Sequence, residues 1–260
     1  MYIRGTHQEA DLRVLRRLIH ENPLGMLTTG IQSQTHPFLQ TSHIPFLLDV
    51  ADPSSTTETG RLRGHLARVN PQSKAVIDNL SADPSLGNVL EHEVLVIFNR
   101  QNHHYITPKF YVESKPETGK VVPTWNYAAV QAYGKARFYF DSKADETGQF
   151  LNKQIRDLSH HNEANIMGYT GEDGKKAEWT VEQAPSNYID LLKKAIIGVE
   201  IDIERLEGKF KMSQEMSEGD RVGVIEGLAE LGSEAAQEVS NTVQERHEME
   251  KAKKAAKASA

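Results

Sequence analysis

The chain has 260 residues, of which 38% are hydrophobic and 25% charged, a composition typical of a globular protein with enough length for a well-buried core. Its formal net charge of −6 gives direct DNA binding no support, although a local basic patch stays open. The absence of cysteine excludes disulfides, thiolate metal sites and a cysteine nucleophile. No apolar run is long enough to span a membrane, and the first residues lack the apolar stretch of a secretory signal, so we expect a cytoplasmic protein, with the nucleus as an alternative.

The first half of the chain predicts one helix followed by a series of short strands. The helix covers Glu9–Glu21, where Leu12, Leu15, Leu18 and Ile19 fall on one face. Strands are predicted at residues 25–29, 40–48, 61–66, 94–98, 105–106 and 131–140. Because these runs are rich in Thr, Val, Tyr and Phe and are separated by turn residues, they favour an antiparallel sheet or barrel.

The second half predicts helices, two strands and a tail. Helices are expected at residues 141–162 and 185–195, a strand at 196–206, a turn at Glu207-Gly208 and a second strand at 209–213. From Glu218 onward the chain becomes helical, and after Glu245 little remains to bury, which predicts a helix that frays or is disordered. We therefore expect one domain over residues 1–232 and a charged helical or disordered tail over 233–260.

Three segments combine polar and aromatic side chains in a way that suggests ligand binding. They cover residues 61–71, 103–108 and 120–127. Arg68, Lys120 and Thr124 offer cations and a hydroxyl for a phosphate group. Trp125 offers a wall for a flat ring. Together these residues favour a phosphorylated aromatic cofactor.

Structural explanations of the same residues stay open. Arg68 is typical of a surface charge after a strand, Trp125 of a core residue, and His65 of a structural histidine. Neither His103-His104 nor His160-His161 has the i, i+4 spacing of a zinc-binding helix, so no metal site is predicted. The chain contains no GxGxxG, P-loop or GxSxG motif, which disfavours a Rossmann site, a P-loop and a serine hydrolase.

Six segments in consistent order resemble the PaiB family of FMN-binding negative transcriptional regulators. They are Thr41–Asp49, Gly64–Pro71, Lys120–Tyr127, Pro185-x-x-Tyr188, Ile196–Ile201 and Leu206–Gln214. The resemblance covers nearly the whole chain except the tail. It departs from the family at Glu215, where the family usually has Asn, and at insertions near residues 53–59, 81–91 and 165–176.

This resemblance implies an α+β fold. It would be an FMN-binding split β-barrel, antiparallel and Greek-key-like, with flanking helices and a C-terminal helical extension. FMN would lie at a homodimer interface. Carried over residue by residue, the implied cofactor-binding set comprises Ser42, His43, His65, Arg68, Asn70, Lys120, Thr124, Trp125, Asn126, Lys211, Ser213 and Gln214. In this set Arg68 and Lys120 would face the phosphate, and Trp125 and Asn126 would approach the ring or ribityl chain.

Three functions remain open at this point. The first is an FMN-dependent oxidoreductase, in which the cofactor carries the redox chemistry and no catalytic residue can be named. The second is a regulator that acts through a partner without flavin chemistry. The third is a haem-binding or haem-degrading split-barrel protein, with His43, His65 or His103 as the iron ligand. The cations at Arg68 and Lys120 fit FMN better than haem.

Overall fold

The computed structural model describes residues 1–258 and arranges them in two compact units that are interleaved in sequence. The larger unit consists of residues 19–98 and 131–206. The smaller unit consists of residues 1–18, 99–130 and the chain from Glu207 onward. The predicted boundary between residues 232 and 233 therefore falls inside the smaller unit.

The chain contains nine strands and seven α-helices within the described residues. The strands are β1 Gln8–Glu9, β2 Leu24–Gly30, β3 Leu39–Pro45, β4 Leu47–Asp49, β5 Arg61–Ala67, β6 Val94–Asn99, β7 His104–Ile106, β8 Thr124–Tyr139 and β9 Ile196–Lys211. The helices are α1 Leu12–Glu21, α2 Pro71–Ala82, α3 Ser114–Thr118, α4 Asp145–His160, α5 Ser186–Lys194, α6 Glu218–Ala229 and α7 Glu234–Ala258. No helix in this part of the chain combines the length and apolarity needed to cross a bilayer.

The sheet of the larger unit curls back on itself. Its strands follow the order β3-β2-β6-β8-β9-β5-β4, and the registers resolved for β2–β3, β2–β6, β4–β5 and β5–β9 are all antiparallel. Although β3 and β5 stand near opposite ends of this order, a Cβ placed on Gly64 of β5 would lie 3.0 Å from Ile44 of β3 and 3.1 Å from the ring of Phe46. Because the two ends of the sheet meet there, the larger unit is barrel-like.

The alternation of buried and exposed residues explains why these strands form. Along β2 every second residue is buried, and Leu27, Val96, Phe98, Leu62 and Ile201 from four strands have no exposed surface. Side chains at alternating positions of a strand point to the same face, so these residues fill one interior. The α+β class and the antiparallel pairing predicted from the sequence are confirmed.

Helix α4 covers the outer face of the larger unit's sheet. The guanidinium of Arg63 on β5 donates to Gln154 and Asp157 of this helix and to Asp49. Phe150 stacks on Tyr139 with ring centroids 4.0 Å apart, above the space left by Gly198. The helix ends in a π-helical segment, His161–Ile166.

The smaller unit contains the first 18 residues of the chain, the start of β8 and the end of β9. Gln8 of β1 pairs with Lys209 of β9, and Tyr105 of β7 pairs with Trp125 of β8. Helix α6 lies so close to the turn Pro108–Phe110 that a Cβ on Gly223 or Gly227 would overlap Phe110. The predicted α-helical C-terminus is thus packed against the rest of this unit.

One prediction for the end of the chain differs from the structure. Strand β9 continues through Glu207-Gly208, where a turn was predicted. Gly208 is needed there because a Cβ would overlap Leu15 of α1 and approach the backbone of Glu9. Helix α7 continues beyond Glu245, in keeping with the helical alternative for the tail, and its His247 is buried. Residues 259 and 260 of the predicted tail lie outside the described part of the chain.

Candidate functional site

The twelve predicted cofactor-binding residues are divided between the two units. The larger unit holds Ser42, His43, His65, Arg68 and Asn70. The smaller unit holds Lys120, Thr124, Trp125, Asn126, Lys211, Ser213 and Gln214. Each group has its own geometry.

The first turn of α2 joins two of the predicted residues in the larger unit. The Asn70 side chain caps the helix, since its Oδ1 accepts from the N–H of Gln72 at 2.9 Å. The Nδ2 of the same side chain donates to the Ser42 hydroxyl on β3 at 2.9 Å. Pro71 occupies the first helical position, where a missing N–H has no cost. The segment Asn70-Pro71 therefore fixes the helix start beside Ser42.

Buried polar atoms with unused hydrogen-bonding capacity surround this helix start. Gln72 donates from Nε2 to the carbonyls of Leu27 and Gln40 and to the Thr29 hydroxyl at 3.0–3.2 Å. Within the described residues, Gln40 Nε2, Gln72 Oε1 and Ser73 Oγ are buried without a partner. Because an unsatisfied buried polar atom is costly, these atoms indicate a missing partner. Sequence reasoning missed Gln40, Gln72 and Ser73, since no motif marked them.

Arg68 holds the end of α5 against the end of β5. Its Nε donates to the carbonyl of Lys194 at 3.1 Å and its Nη2 to the carbonyl of Phe140 at 2.6 Å. The backbone N–H of Arg68 donates to the carbonyl of Ala195 at 2.8 Å. Two of the three guanidinium nitrogens thus contact the protein, and Nη1 is the nitrogen left for a ligand.

The two histidines predicted in the larger unit lie in different environments. His43 is exposed on β3, opposite Met26 of β2. His65 is half-buried and shares its strand face with Arg63, the face that α4 covers. Burial lowers the pKa of His65, and its Nδ1 is among the buried atoms without a partner in the described chain. Burial therefore disfavours the charged form of His65.

In the smaller unit, Lys211 connects β9 to the start of β8. Its Nζ donates to the Thr124 hydroxyl at 2.6 Å and to the Trp125 carbonyl at 3.2 Å, and pairs with Glu215 at 3.1 Å. His7 Nε2 lies 2.9 Å from the other oxygen of Glu215. Burial would raise the pKa of Glu215, but its own backbone N–H, His7 and Lys211 outweigh burial and lower it. Glu215, the departure from the family pattern, thus anchors Lys211.

Three further predicted residues of the smaller unit make internal contacts. Asn126 and Ser213 are fully buried, and Asn126 Nδ2 donates to Ser213 Oγ at 2.9 Å. Gln214 accepts from the N–H of Met212 and donates to the carbonyl of Phe210. Ser213 has a left-handed backbone, φ 61°, that the hydrogen bonds on both sides maintain. These side chains shape the turn that follows β9.

Trp125 lies on the face of β8 opposite to that of Asn126 and points into an open pocket. The ring is 53% exposed and lies 5.9 Å from the His103 ring and 6.0 Å from the Tyr105 ring. The pocket has a volume of about 490 Å³ and is lined by Asn99, Arg100, Gln101, His103, Trp125, Tyr127 and Ala128. Arg100 is held there by Thr242 of α7 at 2.7 Å. An aromatic wall beside a cation suits a planar ring that carries negative charge.

Lys120 lies on an exposed segment that helix α6 supports from one end. The Asp220 carboxylate of α6 accepts from the N–H groups of Glu113 and Ser114, and the Glu113 carboxylate accepts from the N–H of Gly219.

Among the residues described, no group of three His, Asp or Glu side chains is suited to hold a metal ion.

The family of the chain is established by comparison with known proteins. Residues 1–205 match the family model described as "Putative FMN-binding domain". A protein of Emericella nidulans is 55% identical over 253 residues, covering 96% of this chain and 98% of that protein. Protease synthase and sporulation protein PAI 2 of Bacillus subtilis is 24% identical over 246 residues, covering 95% and 98%.

Solved structures give more distant likenesses. A conserved hypothetical protein of Mycobacterium tuberculosis has a TM-score of 0.45 at 13% identity, covering 84% of this chain and 94% of that one. The flavocytochrome Anf3 of Azotobacter vinelandii has a TM-score of 0.42 at 10% identity, covering 78% and 68%.

The family match confirms the resemblance on which the sequence analysis depended. It supports FMN as the cofactor, and the curled antiparallel sheet of the larger unit agrees with the predicted split β-barrel. Of the unpaired buried atoms near the start of α2, Gln40 Nε2 and Ser73 Oγ are donors, as an anionic ligand requires, whereas Gln72 Oε1 is an acceptor. The chain belongs to this family of FMN-binding domains.

Proposed function

We propose that the chain is a flavoprotein that binds the phosphate group of FMN at the first turn of α2. The observation that carries this proposal is the Ser42–Asn70 pair beside a helix start whose neighbouring buried polar atoms are unpaired. Helix α2 has twelve residues, long enough for its N-terminus to carry a useful partial positive charge. The N-terminus of a helix is a common site for phosphate.

The larger unit supplies the donors that a phosphate needs in this proposal. The hydroxyl of Ser42 and the amide of Asn70 donate hydrogen bonds, and Nη1 of Arg68 adds a charge-assisted bond. His43 lies on the same strand as Ser42, and His65 lies on the strand that leads to Arg68.

Within the smaller unit, the predicted residues form a set of their own. Trp125 offers an aromatic surface for a ring, and Lys120 an exposed cation. Lys211 fixes Thr124, while the buried pair of Asn126 and Ser213 and the turn at Gln214 keep these residues in place. Most of the predicted residues on this unit would therefore act by positioning.

We also propose a homodimer, because β3 leaves much of its length exposed even though Asn70 and Gln72 contact it. It is the terminal strand of the sheet order, and Leu39, Thr41 and His43 along it are exposed. Phe38 and Leu24 expose further apolar surface nearby, on the segment before β3 and on its partner strand β2. Natural proteins cover such edges, and a second copy of the chain would do so.

Bound FMN would supply hydride and electron transfer, and the protein would bind and orient it. We propose an oxidoreductase function on this basis. Addition of NADH or NADPH without oxygen should bleach the flavin absorption if a nicotinamide nucleotide is the reductant. A regulator that acts through a partner protein would bind FMN but would not be bleached.

The visible absorption spectrum of the purified protein, recorded with and without added FMN, tests the proposed function. We expect a protein-bound flavin spectrum at one FMN per chain, and a mass of two chains by light scattering. A protein that takes up no FMN at high micromolar concentration would contradict the proposal. A Soret band after haem titration, without FMN uptake, would favour the haem alternative.

A further inference from the structure

A second pocket lies in the smaller unit, formed by α7, the chain start and the turn after β9. Its volume is about 480 Å³, which is within the range of small-molecule sites. It is lined by Gly5, Thr6, Gln8, Gln214, Arg246, Met249, Glu250, Lys253 and Lys254. All the α7 residues in this list are spaced as i, i+3, i+4, i+7 and i+8, so one face of the helix forms a wall.

The charge of this wall is positive. It carries Arg246, Lys253 and Lys254 against Glu250, and Glu9 pairs with Arg246. Glu250 forms ion pairs with Arg221 and with Lys254, so the excess of positive charge rests on Lys253. In a chain with a net charge of −6, the pocket is a local concentration of cations that favours an anionic ligand.

Arg246 is the fixed part of the pocket. Its side chain is 13% exposed, its Nη1 donates to Glu9 at 2.5 Å, and its guanidinium lies 4.4 Å from the centre of the Phe210 ring. Its Nε is buried without a hydrogen-bond partner in the described part of the chain. Phe210 lies beside this guanidinium, and a planar base can stack on the part that stays exposed.

We propose that this pocket binds a phosphorylated small molecule of mononucleotide size. The base would stack beside Arg246 and Met249, and the phosphate would contact Lys253 and Lys254. Thr6 and Gln8 supply neutral hydrogen-bonding groups at the opposite wall. Gly5 leaves room at the mouth, since nothing lies within 4 Å of a Cβ built on it.

This proposal is independent of FMN binding at α2. Arg246, Met249, Glu250, Lys253 and Lys254 lie beyond residue 205, where the match to the FMN-binding family ends. The sequence predicted that Gln214 contacts FMN. In the structure its side chain lines this pocket, where its amide oxygen and nitrogen form hydrogen bonds with the backbone of Met212 and Phe210.

The test is calorimetric titration of the full chain at low salt with AMP, GMP, CMP and UMP, and with adenosine as the probe that lacks phosphate. The test variant is Lys253→Gln with Lys254→Gln, and both lysines are exposed, so the fold should be retained. The matched control is Lys175→Gln with Lys176→Gln, which removes two exposed charges from the larger unit.

We expect at least one mononucleotide to bind in the micromolar range, and adenosine to bind at least about tenfold more weakly than AMP if AMP is that ligand. The double variant at residues 253 and 254 should lose about tenfold in affinity, with FMN uptake unchanged, and the control should match the wild type. Absence of binding by all four mononucleotides would overturn the proposal. Equal loss in the control, or loss in Asn70→Ala instead, would also overturn it.

Discussion

Two buried polar clusters of the larger unit differ in how completely they are satisfied. Around Arg63, the guanidinium donates to Asp49, Asp157 and Gln154, so the charge is balanced within the protein. Around the start of α2, Gln72 and Ser73 retain buried atoms without partners in the described residues. Since unpaired buried polar groups are costly, the first cluster serves stability, whereas we propose that the second binds a ligand.

The largest expected effect comes from breaking the satisfied cluster with Arg63→Met. This change leaves Asp49 and Asp157 without their buried counter-charge, and because both carboxylates keep contact with solvent we expect a loss of about 2 kcal/mol in unfolding free energy. Urea denaturation of the FMN-free protein measures it. Arg61→Met on the same strand is the control, because Arg61 is exposed and should cost under about 1 kcal/mol. FMN affinity per folded molecule should stay unchanged in both variants.

Asn70→Ala tests the unsatisfied cluster. It removes the cap of α2 and the bond to Ser42, so we expect a loss of about 1 kcal/mol in stability and about a tenfold loss in FMN affinity. Ser217→Ala removes the cap of α6 and should cost similar stability without affecting FMN. If both variants bind FMN like the wild type, the two clusters do not differ in the proposed way.

A pH titration of stability tests His65, which shares the face of β5 that α4 covers with Arg63. Burial lowers the pKa of His65, so the unfolded chain binds the extra proton first as pH falls below about 6.5. Stability is therefore complete above that pH and is lost below it, by at most about 1.4 kcal/mol per pH unit for one histidine. His65→Gln should flatten this part of the urea-denaturation profile.

The Asp157 carboxyl responds in a lower pH window. Burial would raise its pKa, but hydrogen bonds from Lys153 and Arg63 outweigh burial and lower it. Its contribution is therefore complete above about pH 4 and is lost as pH falls further. Asp157→Asn should reduce the acid sensitivity there and leave the slope between pH 5 and about 6.5 intact. If Asp157→Asn also changed the slope of stability between pH 5 and about 6.5, Asp157 would not be the group that titrates only at lower pH.

The smallest expected effect on stability is that of Trp125→Leu. Because the ring is 53% exposed, unfolding free energy should change by less than about 0.5 kcal/mol. FMN affinity should fall by a factor of up to about ten, the value of one aromatic contact. Trp179→Leu, a comparably exposed tryptophan in the larger unit, should leave FMN affinity unchanged. Quenching of FMN fluorescence on binding measures the affinity of both variants.

The fold was largely predictable because alternation along each strand records which face is buried. The helix at Leu12–Glu21 and the strands β2, β5 and β6 follow directly from that pattern. Gly208 was predicted in a turn because glycine usually marks a turn. In the structure it lies within a strand, where the missing side chain leaves room for Leu15. That close approach involves residues far apart in sequence, which a local pattern does not contain.

The candidate site was predictable only in part. The motif at residues 120–127 was found, but alternation along β8 sends Trp125 to one face and Asn126 to the other. Asn70 was found from its motif, while its contact with Ser42 and the unpaired atoms of Gln72 depend on tertiary packing. Arg100 was missed because Thr242, which holds it, lies far along the chain.

The central claim is that the start of α2 recognises a phosphate group, and a comparison of FMN with riboflavin tests it most directly. The two flavins differ only in the phosphate, so fluorescence titration of the wild-type chain isolates that group. We expect riboflavin to bind at least about a hundredfold more weakly than FMN, and Asn70→Ala to narrow this ratio. Equal affinity for the two flavins would contradict the account.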